Sequence, residues 1–203
     1  MTQQYFSREP ESVSRPCTCH YTYQGREYRF LTDSGVFSRG EMDPGSGLLL
    51  SCLRDVSGSV LDLGCGWGAL GICVKGAWPQ TEMTMVDVNL RALELCRQNL
   101  ETMSLQAEVL ESDGFSALRG RRFHRIITNP PIRAGKQKVY ELLRDASLAL
   151  ETGGRLDLVI RKQQGGDSCI RFLGTCFRHV EKIGRSGGYW VLEAAEPTGE
   201  EMR

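Results

Sequence analysis

Residues 60–71 read Val60-Leu61-Asp62-Leu63-Gly64-Cys65-Gly66-Trp67-Gly68-Ala69-Leu70-Gly71. An apolar run of strand length enters a turn with glycine at every second position, and a helical pattern follows. Glycine belongs where the backbone must turn sharply and admit a ligand without a Cβ in the way. Gly64, Gly66 and Ala69 by themselves also fit the G-x-G-x-x-G/A turn of a dinucleotide site. The sequence on either side separates the two readings.

Downstream, short apolar runs alternate with helical patterns. Strands are expected at 59–63, 82–88, 107–112, 125–128 and 155–160, and helices at 69–77, 90–101 and 139–150. This alternation predicts an α/β fold with a parallel sheet covered on both faces. The ending differs. A helical pattern over 165–177 gives way to two strand-like runs, 180–184 and 189–194, around Arg185-Ser186-Gly187-Gly188, a hairpin turn. A parallel sheet that closes on an antiparallel strand is a narrower class than a doubly wound fold in general. Upstream, residues 1–20 form a polar, extended lead-in. Residues 21–32 alternate around Gln24-Gly25 as a β-hairpin. Residues 33–47 are rich in turn formers, and a loop of that length is usually functional or mobile. A helical pattern resumes at 48–53. The expected division is an N-terminal extension (1–50) with the hairpin and a covering loop, a main domain (51–195) and a solvated tail (196–203).

The length of 203 residues suits one domain. Formal net charge is zero, which weighs against a partner held by overall charge and leaves local patches to be considered. The start, MTQQYFSREP, has neither the basic nor the apolar region of a signal peptide. No apolar run approaches the roughly 18 residues of a membrane span. A cytoplasmic protein with free thiols is expected. Cys17, Cys19 and His20 are the one cluster of metal-ligand type, and no second cluster completes a zinc site. No metal is expected.

Three acids stand at three successive strand ends. Asp62 precedes the first glycine of the turn, where a carboxylate opposes a pyrophosphate and suits the ammonium of a methionine moiety. Asp87 ends the second strand and suits ribose hydroxyls. Asp113-Gly114-Phe115 ends the third, with an acid for an adenine amino group and a ring to lie against the base. Asp62 or Asp113 taken alone fits capping of the next helix as well, and Asp87 alone fits a nicotinamide cofactor equally well. As a set they mark the carboxyl edge of a sheet, where ligands bind in such folds.

The fourth strand runs into Asn129-Pro130-Pro131-Ile132. Two prolines stiffen the backbone and remove two amide donors, which leaves acceptors: the Asn129 side-chain oxygen and the Pro130 carbonyl. Such acceptors suit a substrate NH2. They orient its lone pair and offset the positive charge that grows on nitrogen during transfer, so no strong base is required.

Asp62-x-Gly64-x-Gly66-x-Gly68 with Asn129-Pro130-Pro131 resembles the class I amino-methyltransferases. That resemblance implies a Rossmann-like sheet of seven strands with an antiparallel last strand, and S-adenosylmethionine as cofactor. Thr32-Asp33-Ser34-Gly35-Val36-Phe37-Ser38, Asp43-Pro44-Gly45-Ser46 and residues 129–136 (NPPIRAGK) are similar to the small-domain ribosomal RNA guanine-N2 methyltransferase family, over nearly the whole chain. Carried over by position, it implies cofactor contacts from Phe37, Ser38, Asp43, Gly45, Gly64, Gly66, Asp87, Asp113 and Gly114. Asp62, Gly68 and Phe115 join this set from their places in the motifs. The resemblance further implies that Asn129 and Pro130 bind the target amine, and that ribosomal RNA or the small ribosomal subunit is the partner. Many amino-methyltransferases carry a stacking aromatic where Ile132 stands, and Phe37 is the other available platform.

Residues 119–138 hold seven basic residues and no acid. Arg119, Arg121, Arg122 and Arg125 precede the fourth strand, at the far end of the sheet, and read as a solvated loop. Arg133, Lys136 and Lys138 follow the prolines beside the site, and Arg161 and Lys162 follow the fifth strand on the same rim. Ile132, Arg133, Lys136 and Arg161 are therefore the expected substrate contacts. A base within a duplex would have to be flipped out to reach Asn129. A protein glutamine or DNA adenine methyltransferase, a nicotinamide-dependent oxidoreductase and a catalytically silent RNA-binding module are the competing readings.

Overall fold

A computed structural model describes residues 8–199. The chain opens with a hairpin of β1 (Cys17–Tyr23) and β2 (Arg26–Thr32) turning at Gln24-Gly25, with Cys17 opposite Thr32. Helix α1 (Pro44–Cys52) follows, then β3 (Ser59–Leu63), α2 (Ala69–Ala77), β4 (Glu82–Asp87), α3 (Leu90–Thr102), β5 (Glu108–Glu111), β6 (Phe123–Thr128), α4 (Lys136–Leu148), β7 (Leu150–Arg161), α5 (Gly166–Cys176), β8 (Phe177–Ser186) and β9 (Tyr189–Pro197).

Seven strands form one sheet in the order β5-β4-β3-β6-β7-β9-β8. The pairs from β5 through β7 are parallel, and β9 runs antiparallel to both its neighbours. Strand order reverses between β3 and β6, so the carboxyl ends of those strands open a crevice there. Two apolar layers cover the sheet. One joins the hairpin, α1, α2 and α3 through Phe30, Leu49, Ile72 and Leu93; the other joins α4 and α5 through Leu143, Leu173 and Trp190.

Several boundaries differ from the sequence reading. Helix α1 begins at Pro44, inside the expected loop, with Asp43 as its N-cap. The expected division at residue 50 therefore falls within a helix that packs on β7, β8 and β9, and the extension shares the core of the main domain. Helix α4 runs from Lys136 to Leu148 rather than over 139–150, and β7 starts at Leu150 rather than at 155, through Gly153 and Gly154. Gly154 is needed there because a Cβ would lie 2.9–3.0 Å from the His124 and Phe123 carbonyl oxygens, where the β6–β7 register shifts. Strand β1 starts at Cys17, inside the expected lead-in; strand β9 reaches Pro197, so the expected tail is shorter, and residues 200–203 lie outside the described residues. Among the described residues no helix is long and apolar enough to cross a membrane.

Candidate active site

The crevice at the switch point is a cavity of about 730 Å³, large enough for a nucleoside-sized ligand. The glycine loop forms its floor. Gly64 and Cys65 donate to the Val86 carbonyl at 2.9 Å, which ties the loop to the end of β4. Gly64 and Gly66 have φ of +76° and +56°, and no protein atom lies within 4 Å of where a Cβ would stand on either. Packing does not demand glycine at these two positions. The left-handed backbone and the open space toward the cavity do.

Asp87 lines the cavity and braces the loop. Its two oxygens accept from the Gly66 and Asn89 amides at 2.8 and 2.9 Å, and burial pushes its carboxyl up. Asp62 is fully buried and is not part of the lining. One oxygen accepts from the Gly71 amide at 2.8 Å, in the first turn of α2, whose N-cap Gly68 offers no side chain; the other has no partner. Burial pushes this carboxyl up to about 7, against the Gly71 hydrogen bond and with the nearby Asp87 adding to the shift. The sequence placed Asp62 against the cofactor; in the fold it lies beneath the loop and caps α2.

Asn129 stands at the end of β6, where Thr128 Oγ1 donates to the Leu63 carbonyl at 2.7 Å. Its Nδ2 donates to Asp43 Oδ2 and Ser46 Oγ, both at 3.0 Å. A carboxylate only accepts, so the amide nitrogen must face Asp43 and the amide oxygen must point the other way. No described residue donates to that oxygen. Asp43 Oδ2 also accepts from the Ser46 amide at 2.9 Å, so one carboxylate caps α1 and fixes Asn129. Pro130 and Pro131 line the cavity too, but the Pro130 carbonyl already accepts from Ile132 N at 2.8 Å across an inverse γ-turn at Pro131. One of its lone pairs is spent, and the other is left for a ligand.

The loop before α1 forms another wall through Phe37 and Ser38. Phe37 is 45% exposed, a large apolar ring at the cavity rather than in a core. Ser38 has φ +55°, strained for a residue with a side chain. Among the contacts that hold the loop, Trp67 Nε1 donates to the Phe37 carbonyl at 2.8 Å, Asn89 Nδ2 to the Gly35 carbonyl at 2.9 Å, Arg91 to the Ser34 carbonyl at 2.7 Å, and Gly40 N to Thr32 Oγ1 at 2.9 Å.

Of the expected site residues, Phe37, Ser38, Asp43, Gly64, Gly66, Asp87, Asp113, Gly114, Asn129, Pro130, Pro131, Ile132, Arg133 and Arg161 line the cavity. Asp62, Gly45, Gly68, Phe115 and Lys136 do not. A Cβ on Gly45 would lie 2.8 Å from the Tyr189 ring, and one on Gly68 would lie 2.6 Å from Ile72. Phe115 packs on the α4–α5 core instead. Asp113 remains at the rim, paired with Lys138 at 2.9 Å across exposed side chains. Of the far basic group, Arg119 and Arg122 lie exposed in the loop before β6 as expected and Arg121 pairs with Glu108 at 2.7 Å, but Arg125 sits buried in β6, 2.7 Å from Asp157. His124 and His179, one position before the strands expected at 125–128 and 180–184, lie within β6 and β8. Cys17 and Cys19 share one face of β1, and alternation turns His20 to the other.

Ser46, Tyr189 and Asn89 shape the site without being among the expected site residues. Ser46 and Asn89 had a signal, being placed by the helix-start patterns Asp43-Pro44-Gly45-Ser46 and Asp87-Val88-Asn89. Tyr189 had none, because its place beside Arg161 comes from strand register alone.

The family description Methyltransferase small domain matches residues 27–193, nearly all of the sheet and the whole cavity. The chain belongs to the methyltransferase small-domain family. It is an S-adenosylmethionine-dependent methyltransferase. The lining fits that cofactor: an open glycine cradle, carboxylates at two strand ends and a volume of nucleoside size. This methyltransferase is 35% identical over 198 residues to YbxB, an uncharacterized Bacillus subtilis protein, covering 96% of this chain and 98% of that one. It is 43% identical over 166 residues to the ribosomal RNA small subunit methyltransferase C of Pasteurella multocida, covering 75% of this chain and 50% of that one. Among solved structures it is similar to the T. thermophilus 16S rRNA N2 G1207 methyltransferase (RsmC) in complex with AdoMet and guanosine. The TM-score is 0.81 and the identity 31%, over 91% of this chain and 51% of that one. The methyltransferase thus spans about half the length of these two rRNA enzymes and nearly all of the Bacillus protein.

Proposed function

We propose that this methyltransferase transfers a methyl group to the exocyclic N2 of a guanine in small-subunit ribosomal RNA, in the cytoplasm. The observation that carries the reading is the clamped Asn129 amide: with its nitrogen held by Asp43 and Ser46, its oxygen is an oriented acceptor beside the Pro130 carbonyl. Two acceptors match the two protons of an NH2 group. The relatives named for ribosomal RNA methylation supply the target class.

Residues Phe37, Ser38, Asp87, Asp113 and the Gly64–Gly66 loop would hold S-adenosylmethionine, which supplies an electrophilic methyl group when bound. Asn129 and Pro130 hold the amine so that its lone pair faces that methyl, and their oxygens offset the charge developing on nitrogen. The nitrogen becomes cationic before it loses its proton, so solvent suffices as base. Phe37 offers the ring on which the target base lies, since Ile132 cannot stack.

The test is label transfer from methyl-labelled S-adenosylmethionine to small ribosomal subunits of cells lacking this protein. Label in RNA with the wild type and not with Asn129→Ala supports the reading. Label in protein instead would replace it with glutamine methylation.

A further inference from the structure

The chain is neutral overall, and many of its cations are spent internally. Arg121, Arg125, Arg155 and Lys138 form ion pairs, and Arg26, Arg39, Arg54, Arg91, Arg122 and Lys75 donate to backbone carbonyls. Four further described cations make neither kind of contact and stand together at one corner. Arg161, Lys162, Lys182 and Arg185 are exposed, and no described carboxylate lies within 4.0 Å of any of them.

The topology puts this corner beside the cavity. Strand β9 starts at the carboxyl end of β7, with Tyr189 opposite Arg161 and Trp190 opposite Ile160. The Arg185–Trp190 and Ser186–Tyr189 pairs bring the end of β8 alongside. Lys162 N donates to the Gly188 carbonyl at 2.9 Å, which fixes the hairpin turn to the end of β7. Arg161 and Tyr189 themselves line the cavity.

The cations rest on aromatic supports. The Arg161 guanidinium lies 4.5 Å from the Tyr189 ring centre. Two ammonium groups share the Trp190 indole, Lys182 at 3.5 Å and Lys162 at 5.6 Å. Trp190 is 9% exposed and packed against Gly166, where a Cβ would lie 2.9 Å from the ring. A rigid indole thus gathers two like charges with no described carboxylate within 4.0 Å, and an anion placed there relieves their repulsion.

We infer that Arg161, Lys162, Lys182 and Arg185 form a track for the phosphate backbone of the RNA strand, leading from the cavity across the β8–β9 hairpin. The inference rests on the RNA reading above and adds the surface that grips the strand outside the cavity. RNA fits better than an acidic peptide because the track is continuous with the pocket for the target base, and each lysine contact is made to backbone rather than sequence.

The experiment measures equilibrium binding of a short fluorescein-labelled single-stranded RNA to the full chain across a salt series, for wild type, the Lys162→Gln/Lys182→Gln double variant and Arg119→Gln as a control at the far end of the sheet. The double variant should bind roughly tenfold more weakly at low salt, with a slope of log affinity against log salt about 1 to 1.5 shallower. Its affinity for S-adenosylmethionine, its melting temperature and its kcat at saturating RNA should be unchanged, and Arg119→Gln should match wild type. Unchanged affinity and slope in the double variant would overturn the track. So would a polyglutamate peptide that binds where RNA does not and is lost on the same substitutions. If wild type labels no RNA, the methylation reading fails, while the binding series still judges the track.

Discussion

Asn129 Nδ2 lies 3.0 Å from Asp43 Oδ2, a contact between the end of a central strand and the cap of a helix 86 positions away in sequence. It gives the Asn129 amide a fixed polarity. Asp43→Asn presents a group able to donate or accept, and Asn129 is then free to turn its nitrogen toward the substrate. The expected result is a fall in kcat of about 100-fold, the scale of a small misplacement of a reacting group. Affinity for S-adenosylmethionine should change little. Ser46→Ala, which leaves the carboxylate in place, should cost less. Kinetics with titration calorimetry check both; lost cofactor binding at unchanged kcat would make Asp43 a cofactor ligand instead.

Gly66→Ala and Gly68→Ala should fail differently. Both positions have positive φ, so alanine costs roughly 1–2 kcal/mol at each. At Gly68 the new methyl also meets Ile72 at 2.6 Å and Cys96 at 3.1 Å, and overpacking adds about 1–3 kcal/mol. At Gly66 it meets only the open cavity. Thermal melts should show the larger loss for Gly68→Ala, and cofactor titration the larger loss for Gly66→Ala.

The buried Asp62 carboxyl makes stability depend on pH. Its folded pKa of about 7 exceeds the ordinary value of 3.8, so the native state holds a proton that the unfolded chain releases. Its contribution is full below the ordinary carboxylate range, is lost as pH rises toward 7 and changes no further above it. Asp87 and Asp157, also raised by burial, act in the same direction. Asp62→Asn should flatten the fall in unfolding free energy across that window, measured by denaturant titration at several pH values. An unchanged slope would show that Asp62 is ionised in the fold.

Trp67→Phe keeps the buried ring but removes the hydrogen bond to the Phe37 carbonyl. A loss of about 1 kcal/mol is expected, with faster proteolysis within residues 33–47 as the wall of the cavity loosens. Protease digestion with mass mapping reads this directly; cleavage unchanged there would mean that the other contacts hold the loop alone.

The fold was legible where local chemistry and tertiary environment agree. Strand β3 and helix α2 occupy their expected residues because a buried apolar run ending in glycines has few other structures open to it. Helix α1 was hidden because Pro44-Gly45-Ser46-Gly47 has the composition of a turn, although Asp43 and Pro44 are a sound helix start. The start of β7 was hidden because Gly153 and Gly154 serve a bulge. In the site, residue types at strand ends were readable, and partnerships were not. Nothing near Asp43 in sequence announces Asn129, and nothing near Asp62 tells a cofactor contact from the cap of α2 that it forms.

Guanine N2 is the proposed methyl acceptor. Small ribosomal subunits from cells lacking the protein, treated with S-adenosylmethionine and wild-type enzyme, should yield N2-methylguanosine on nucleoside digestion and mass spectrometry, and none of that new product with Asn129→Ala. A methyl group found on another base, on ribose or on protein, or equal product from Asn129→Ala, would contradict it.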